Sequence, residues 1–512
     1  TVESPIPLEE IQAVISGHKS FKRLQLAVIT NVEATSAEAT LATGEVITID
    51  WQGMSWARTF INDEKQGPAP KSAAEILRYG DLVYVSNTDG YYKLDQLPQA
   101  SGAMVSLSPD NGAIQAVIGG YSFEQSQFNR VTQAKRQVGS NIKPFVYSAA
   151  LENGFTLASL INDAPINQWD KASGIAWRPK NSPEQYDGLI RVRIALARSK
   201  NVVAVRLFRE VGIDKIISHL ASFGFAPDEL PRDESLALGS AALTPLEIAT
   251  GMATFANGGF LVEPYIIDRI EDSFGNVVYQ TNPTLACEDC DSWQDESLTA
   301  NATPQFITQE LVVQKDVLPT RRAPRVVTAQ NAFLITEALN EAIWGADWSA
   351  KPAWQGTGWR GRVLKRRDIA GKTGTTNEAK DAWFTGYSRR LVTTSWIGFD
   401  DPSRNLGKTE FNPNLSKNQI TGKEFGARSA QPAWVSFMKV ALQDLPIEPF
   451  QQPADLLSVR IDKHSGKLTT KTDKTSLFEF FELGTAPTTY DTQDNSSVIL
   501  DGKQIQEDVD IF

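Results

Sequence analysis

The chain has 512 residues, of which 41% are hydrophobic and 22% are charged. These ordinary values exclude a chain that is disordered as a whole, and the length predicts two to four domains. With 50 basic and 61 acidic residues the net charge is −11, which disfavours a protein that grips nucleic acid phosphates. No apolar stretch approaches the ~18 residues of a membrane helix. Since the N-terminus has neither an initiator methionine nor a signal-peptide pattern, we expect a soluble piece of a longer protein.

The first domain is predicted to be all-β. Short strand patterns are separated by links rich in Gly, Pro, Asn and Asp, which are typical of turns. These strand patterns occupy residues 24–34, 37–50, 81–86 and 91–97. They predict a small barrel over residues 21–98. Residues 1–20 are predicted to be a linker.

The second domain, residues 99–447, is predicted to be α+β. Its strand patterns cover residues 103–107, 113–118, 368–375, 382–387 and 391–399, and its main helical patterns cover 140–153, 190–211, 245–255 and 430–442. Because strands at both ends enclose the helices, we expect a sheet assembled from distant segments. A polar insertion over 282–325 is predicted to be flexible, and residues 448–512 are predicted to form a C-terminal β-hairpin extension and tail.

Several kinds of catalytic chemistry lack the residues they need. The three histidines, His18, His219 and His464, are scattered, so neither a Ser-His-Asp triad nor a zinc site is supported. Gly371-Lys-Thr373 resembles the end of a phosphate-binding loop, but Arg366 stands where that loop requires glycine. We therefore expect no metal and no other cofactor.

A nucleophile without histidine needs another base, and lysine is the alternative. Ser140-Asn-Ile-Lys143 places a hydroxyl and an amine on one face of a predicted helix. Pro144 fits the first turn, where a missing N–H costs nothing. The helix dipole there favours developing negative charge and disfavours an ammonium group. Ser140 and Lys143 are therefore a candidate nucleophile and base.

Two later motifs complete a constellation. They are Ser199-Lys-Asn201 and Lys372-Thr-Gly374, the latter on a predicted strand. Single matches are weak evidence, since Ser16-Gly-His-Lys19 and Ser416-Lys-Asn418 fit the same patterns. These two matches are decoys, because Ser16 lies in the predicted N-terminal linker and Ser416 follows the Lys-Thr-Gly strand instead of preceding it. The order and coarse spacing of the three motifs match the signature of serine β-lactamases and penicillin-binding proteins.

The surrounding stretches at 128–145, 235–240 and 371–377 resemble class A penicillin-binding proteins. The resemblance covers nearly the whole chain, but it includes neither a glycosyltransferase domain nor a membrane anchor. It implies a serine β-lactamase/penicillin-binding transpeptidase fold with an oligonucleotide-binding-like (OB-like) barrel. One departure from the β-lactamase form is Lys200, where Ser-Asp-Asn has aspartate, and we expect its side chain to point away from the site.

The resemblance implies roles for the motif residues. Ser140 would attack the carbonyl between two D-alanines, with Lys143 as the acylation base. Ser199 would relay the proton to the leaving amine, and Lys372 would keep Lys143 neutral by like-charge repulsion. Asn201 would bind the substrate amide and orient Lys143.

The strand motif is expected to bind the substrate backbone. The N–H groups of Ser140 and Thr375 would form the oxyanion hole. Thr373 and Thr375 share one face of the strand and would bind the terminal carboxylate. Gly374 would let the substrate backbone come close to the strand.

The resemblance also implies partners and a location. The substrates would be peptidoglycan stem peptides ending in D-Ala-D-Ala, and β-lactams would acylate Ser140. An outer-membrane lipoprotein would activate the enzyme through the OB-like domain, and no nucleic acid partner is expected. The parent protein would act on the periplasmic side of the inner membrane, held there by a part absent from this chain. In that oxidising compartment a local disulfide between Cys287 and Cys290 is favoured over a redox pair.

Two alternatives share these motifs. A serine β-lactamase or DD-carboxypeptidase would acylate in the same way and then hydrolyse the acyl-enzyme rapidly. A non-catalytic sensor would bind β-lactam or wall peptide without turnover. The lifetime of the penicillin adduct tests the first alternative, and cross-linking of a donor peptide to an acceptor amine tests the second.

Overall fold

The computed structural model describes residues 5–287, 320–407 and 424–491, apart from residues 22, 64, 167 and 170–175. The first domain is a closed five-stranded barrel, as predicted. In barrel order its strands are Gln25–Val32, Ser36–Leu41, Val46–Asp50, Tyr91–Asp95 and Leu82–Thr88. A short helix at Trp51–Met54, a one-turn 3-10 helix at Ala73–Glu75 and a small hairpin of Phe60–Asn62 with Lys65–Gln66 complete this domain. Alternate strand residues such as Ala27, Ile29 and Ile49 fill its core.

The predicted linker over residues 1–20 is wrong in its middle. Leu8–Ser16 is an α-helix, and its buried face of Ile11 and Ile15 packs against Leu26 and Val28 on the outside of the barrel. An apolar pair at i and i+4 lies on one helix face, so burial on the barrel outweighs the polar composition of the segment.

The second domain is built on a five-stranded antiparallel sheet. Its strands, in spatial order, are Ala370–Thr375, Asp381–Tyr387, Val392–Gly398, Ser101–Leu107 and Ile114–Ile118. The two strands that begin the domain therefore pair beside three strands from its far end. This confirms a sheet assembled from distant segments.

Helices pack on this sheet and on one another. The longer ones are Lys143–Glu152, Asn201–Val211, Ile213–Ser222, Pro245–Ala256, Ala329–Trp344 and Gln431–Ala441, and the shorter ones are Arg130–Gln133, Val192–Ala197 and Gly426–Ser429. Thr244 and Glu247 form the predicted capping box of the fourth helix. The single helical pattern predicted over 190–211 is two helices, broken at residues 198–200.

The remaining strands form two-stranded ladders. The pairs are Arg136–Gln137 with Ala242–Leu243, Leu160–Asp163 with Gly188–Arg191, Gln168–Trp169 with Ala176–Trp177, Arg269–Glu271 with Val277–Gln280, Thr284–Leu285 with Arg321–Arg322, and Ala346–Asp347 with Trp354–Gln355. The fifth pair ties together the two ends of the insertion that we predicted to be flexible over 282–325. The middle of that insertion lies outside the described residues. Within the described part of the chain, no helix is both long and apolar enough to cross a membrane.

The predicted C-terminal extension is a hairpin of Leu456–Asp462 and Ser476–Glu482, which we call the C-terminal hairpin. Its Glu479 is fully buried and forms ion pairs with Arg191 (3.1 Å) and Arg193 (2.5 Å) of the second domain. Because a buried carboxylate is stable only when paired, this contact makes the hairpin an integral part of the second domain.

Candidate active site

Ser140 lies in a 3-10 turn, Gly139–Ile142, that leads directly into the buried helix Lys143–Glu152. Pro144 occupies the first turn of that helix, as predicted. We call residues 139–142 the serine turn. The tighter turn places Ser140 at the edge of the helix start, where its side chain is half-buried.

Lys143 is fully buried, and its Nζ lies among acceptors from the second motif. It donates to Asn201 Oδ1 at 2.6 Å and to the carbonyl oxygen of Ser199 at 2.7 Å, and it lies 3.3 Å from Ser199 Oγ. Burial and the neighbouring charge of Lys372 hold its pKa well below the ordinary lysine value. A neutral amine in this position can accept a proton.

Lys372 reaches the same serine from the strand Ala370–Thr375. Its Nζ donates to Ser199 Oγ at 2.8 Å and to the carbonyl oxygen of Thr373 at 2.9 Å. Burial lowers its pKa to about 7. Neither Lys143 nor Lys372 forms an ion pair within the described residues. The three motifs are thus brought together around Ser199.

Ser199 has a left-handed backbone with φ of +55°, which is uncommon for a residue with a side chain. It lies between the helices Val192–Ala197 and Asn201–Val211. This conformation turns both its carbonyl and its hydroxyl toward the two lysines. The sequence placed Ser199 near a helix end but did not indicate the break.

Thr373 and Thr375 lie on the strand as predicted, and both hydroxyls also contact protein. Thr373 Oγ1 donates to Thr357 Oγ1 at 2.9 Å, and Thr375 Oγ1 accepts from the backbone N–H of Gly426 at 3.0 Å. Thr357 and Gly426 were missed by the sequence analysis, because no motif marks them. They fix the two threonine hydroxyls at the edge of the sheet.

Three glycines form the closest contacts around the serine turn. A Cβ atom at Gly374 would lie 2.7 Å from the carbonyl oxygen of Val138, so this glycine is required for packing against the serine turn. The expected role of Gly374 in letting the substrate backbone approach stays a prediction. A Cβ at Gly139 would lie 2.6 Å from the Thr375 oxygen, and one at Gly239 would lie 1.9 Å from the Gly139 oxygen. The backbones of the serine turn, the Lys-Thr-Gly strand and residue 239 are therefore in direct contact.

Lys200 points away from Lys143 and Lys372, as expected. Its Nζ lies 2.8 Å from Asp163 Oδ2, 2.5 Å from Asp187 Oδ2 and 2.9 Å from the carbonyl oxygen of Gln185. No sequence motif marks Asp163 or Asp187. Lys200 is buried in the structure, and a buried lysine needs carboxylate partners, but this burial is not evident from the sequence.

The histidines and cysteines lie apart from this constellation. His219 Nε2 contacts the buried Ser148 Oγ at 2.9 Å, and burial lowers the pKa of His219 to about 4, so this pair belongs to the core. His18 is exposed and contacts the Val14 carbonyl. Cys287 is disulfide-bonded, whereas Cys290 lies outside the described residues, so their pairing stays a prediction.

A serine at a helix start, two buried lysines and a Ser-x-Asn loop beside a Lys-Thr-Gly strand define a penicillin-binding, active-site-serine class of protein. The family model of the penicillin-binding protein transpeptidase domain matches residues 102–401, and the chain belongs to this family. The model of the penicillin-binding protein OB-like domain matches residues 3–100, which include the N-terminal helix.

Curated relatives include penicillin-binding protein 1A of Vibrio cholerae, 48% identical over 94% of this chain, and that of Escherichia coli, 43% identical over 94%. The chain spans 57% and 58% of the length of these relatives. The crystal structure of penicillin-binding protein 1A from Haemophilus influenzae shares 38% identity, with a TM-score of 0.79 over 95% of this chain and 67% of that one. A structure of PonA1 from Mycobacterium tuberculosis, at 22% identity and a TM-score of 0.53 over 74% of this chain and 85% of that one, shares the fold.

Proposed function

We propose that the chain carries a D-alanyl-D-alanine transpeptidase that cross-links peptidoglycan through an acyl-enzyme on Ser140. The observation that carries this proposal is the shared contact of Lys143 and Lys372 with Ser199. It provides an amine of lowered pKa near the nucleophile and a hydroxyl that connects two amines. Amide acyl transfer without histidine needs these two groups, a general base and a proton relay to the leaving amine.

Acylation would proceed as follows. Lys143 accepts the hydroxyl proton of Ser140 as Oγ bonds to the carbonyl carbon of the penultimate D-alanine. The backbone N–H groups of Ser140 and Thr375 stabilise the oxyanion. The C–N bond then breaks, and the terminal D-alanine leaves as an amine that takes its proton through Ser199. An acceptor amine attacks the ester carbonyl and forms the new amide bond, the C–O bond to Ser140 Oγ breaks, and the amine proton passes to Oγ, which restores the Ser140 hydroxyl and completes the cross-link.

Mass spectrometry after penicillin treatment tests this assignment. One adduct of penicillin mass on the peptide that contains Ser140 is expected, and Ser140→Ala should abolish it while the protein stays folded. Ser16→Ala is the matched control, because Ser16 belongs to the decoy Ser-x-x-Lys and its hydroxyl bonds to the Ala13 carbonyl of the N-terminal helix. An adduct of wild-type extent in Ser140→Ala would place the nucleophile elsewhere.

The lifetime of that adduct separates the alternatives. A transpeptidase should hold the penicilloyl ester for many minutes, whereas a β-lactamase would lose it within its turnover time. Formation of a dimeric peptide from a stem-peptide donor and an acceptor amine would exclude a pure sensor. Release of D-alanine without dimer would indicate a DD-carboxypeptidase.

We also propose that the barrel domain docks an activating lipoprotein of the outer membrane. The domain has its own core, and it exposes Trp56 (46%), Phe60 (68%) and Ile61 (54%). Beside them, Asp63 forms a bidentate ion pair with Arg404 of the second domain, at 2.7 and 3.2 Å. An exposed apolar patch next to an interdomain contact supports a regulatory surface.

The test is to delete residues 5–98, join the ends with a flexible linker, and measure both penicillin acylation and activator binding. Acylation should persist and binding should be lost. The deletion must include the N-terminal helix, which covers the barrel. Phe60→Ser in the full chain should weaken binding alone. Acylation that collapses in a folded deletion protein, or an activator that binds unchanged, would contradict this division of labour.

The location and the disulfide belong to the same proposal. The parent protein would act on the periplasmic side of the inner membrane. The oxidising periplasm would keep Cys287 paired with Cys290. Peptide mass mapping without reductant should find a 287–290 cross-link, and a linkage to another protein would contradict it.

A further inference from the structure

We propose that Lys200, Asp163 and Asp187 form a buried clamp that holds Ser199 in its left-handed conformation and thereby sets the rate of acylation. This inference rests on the proposed acyl-enzyme function. It assigns a positioning role to residues that touch neither the nucleophile nor a substrate. We call these three residues the ion clamp.

The starting observation is the strain at Ser199. A residue with a Cβ is disfavoured in the left-handed region and adopts it only where surrounding contacts require it. Ser199 must adopt it, because Lys143 bonds to its carbonyl and Lys372 bonds to its hydroxyl. Some part of the fold must therefore hold the loop against relaxation.

Arg198 and Lys200, which flank Ser199, both lie at ion-pair distance from the Asp187 carboxylate, whose two oxygens are buried and accept no hydrogen bond. Arg198 lies 2.8 Å from Asp187 Oδ2, and Lys200 lies 2.5 Å from the same oxygen. The three side chains are 6–13% exposed, so water screens these ion pairs only weakly. A residue pinned on both sides cannot change its φ without breaking a buried ion pair.

The second carboxylate connects the clamp to the next helix. Asp163 Oδ2 pairs with Lys200 at 2.8 Å, and Asp163 Oδ1 accepts from Asn181 Nδ2 at 2.6 Å. Asn181 Oδ1 in turn accepts from the backbone N–H groups of Asn201 and Val202, at 2.9 and 3.2 Å. These are N–H groups that the first turn of a helix leaves without partners. The same network thus fixes the position of Asn201, whose side chain holds Lys143.

Asp163 also interacts electrostatically with the Lys143 amine. The charged and titratable groups that face Lys143 are Asp163, Lys372 and, one turn along its own helix, Tyr147, which itself senses Asp163. The Asp163 carboxylate raises the pKa of Lys143 against the lowering effects of burial and Lys372. Removal of that carboxylate should therefore move the acid limb of acylation to lower pH.

The experiment measures the acylation rate constant and the noncovalent dissociation constant for penicillin in the full chain. Lys200→Met should slow acylation roughly five- to thirtyfold, which corresponds to about 1–2 kcal/mol of backbone strain at 1.36 kcal/mol per tenfold, with less than about threefold change in the dissociation constant. Lys200→Arg keeps both ion pairs and should recover most of the rate. Arg209→Met is the matched control, because Arg209 makes a half-buried ion pair with Glu234 at the far end of the helix Asn201–Val211.

Two further variants keep the test decisive if Lys200→Met does not fold. Asp187→Asn conserves shape and should also slow acylation about tenfold or more. Asp163→Asn should slow acylation and shift its acid limb downward, which a general loss of stability would not do. Wild-type rates in folded Asp187→Asn, or no rescue by Lys200→Arg, would overturn the clamp. Failure of the wild-type protein to acylate would instead overturn the proposed function.

Discussion

Lys372 donates a hydrogen bond from its Nζ to Ser199 Oγ at 2.8 Å, and it does so in a site where it is fully buried. Within the described residues no carboxylate pairs with it. The free energy of protonating this amine is therefore opposed by desolvation, and its pKa falls to about 7. The burial of Lys372 thus lowers the stability of the folded protein at neutral and acidic pH.

Replacement of Lys372 should remove this loss of stability and its dependence on pH. In the unfolded chain Lys372 holds its proton up to about pH 10.4, whereas the folded protein releases it above about pH 7. The unfolded state therefore binds one more proton between these values, and the wild-type free energy of unfolding should rise with pH there. Relative to Lys372→Met, the slope should approach 1.36 kcal/mol per pH unit. Urea unfolding of both proteins from pH 6 to 10 measures it, and parallel curves would contradict the buried cation.

The same residue should be needed for chemistry. Lys372→Ala removes a hydrogen bond and a charge from the Ser199 relay, and such a preorganised contact is worth roughly 2–4 kcal/mol. We expect penicillin acylation to fall about 10²- to 10³-fold. Lys467→Ala, in the C-terminal hairpin turn, is a control that should leave the rate unchanged. An acylation rate within about threefold of wild type would remove Lys372 from the relay.

Asn201→Asp places a carboxylate 2.6 Å from the Lys143 amine. A negative charge at that distance should raise the pKa of Lys143, so more of the amine is protonated at neutral pH. The acid limb of the acylation rate should therefore move to higher pH. Asn153→Asp, at the opposite end of the nucleophile helix, should leave the limb in place. A profile that keeps its midpoint would show that Lys143 is not the base.

The effect of the close contact between Gly239 and Gly139 on stability can be distinguished from the effect of a left-handed backbone by comparing two glycine-to-alanine substitutions. Gly239 has φ of +85° and no room for a Cβ, whereas Gly258 has φ of +86° with nothing within 4 Å. Gly258→Ala should cost about 1–2 kcal/mol of unfolding free energy for its left-handed backbone alone. Gly239→Ala should cost a further 1–3 kcal/mol, roughly, and should slow acylation because it displaces the serine turn. Equal effects of the two substitutions would mean that the contact is easily relieved.

The N-terminal helix should stabilise the barrel. Ile11 is 2% exposed, and Ile11→Ala should cost about 2–5 kcal/mol because it leaves a cavity against the barrel strands. Val14, 42% exposed on the same helix, is the control, and Val14→Ala should change stability by less than about 0.5 kcal/mol. Hydrogen exchange of the Val28 amide reports on the barrel locally. If Ile11→Ala leaves that exchange unchanged, residues 8–16 act only as a tether.

Glu479→Gln should loosen the C-terminal hairpin. The substitution leaves Arg191 and Arg193 without their buried carboxylate, which should cost about 3–5 kcal/mol. The midpoint of thermal unfolding should fall accordingly. Glu482→Gln, on the same strand but without such a pair, should have little effect. A midpoint equal to wild type in Glu479→Gln would show that the hairpin is an appendage.

Much of the fold followed from local patterns. The strand alternation that fills the barrel with Ala27, Ile29 and Ile49, and the capping box at Thr244, depend on neighbours in sequence. The N-terminal helix was missed because its amphipathic face is short and its burial depends on a barrel surface that forms elsewhere in the chain.

The candidate site likewise contains residues that could be predicted from the sequence and residues that only the structure reveals. Ser140, Lys143 and Lys372 were visible as motifs because their chemistry requires fixed spacings. The left-handed backbone of Ser199 and the carboxylates of Asp163 and Asp187 were not visible, because each depends on contacts between residues that are distant in sequence. Gly239 lies in the stretch 235–240 that resembles the family, but only its contact with the Gly139 backbone explains why it is glycine.

The order of strands in the central sheet has a consequence for biosynthesis. Thr393 and Ser106 share a hydrogen bond between neighbouring strands but are 287 positions apart in the chain. At about 5–20 residues per second, the strand Ser101–Leu107 is completed roughly 15 to 60 seconds before its partner exists. During that interval its edge is unpaired, and an unpaired apolar edge favours aggregation. The newly made chain should therefore depend on a holding chaperone until the strand Val392–Gly398 emerges.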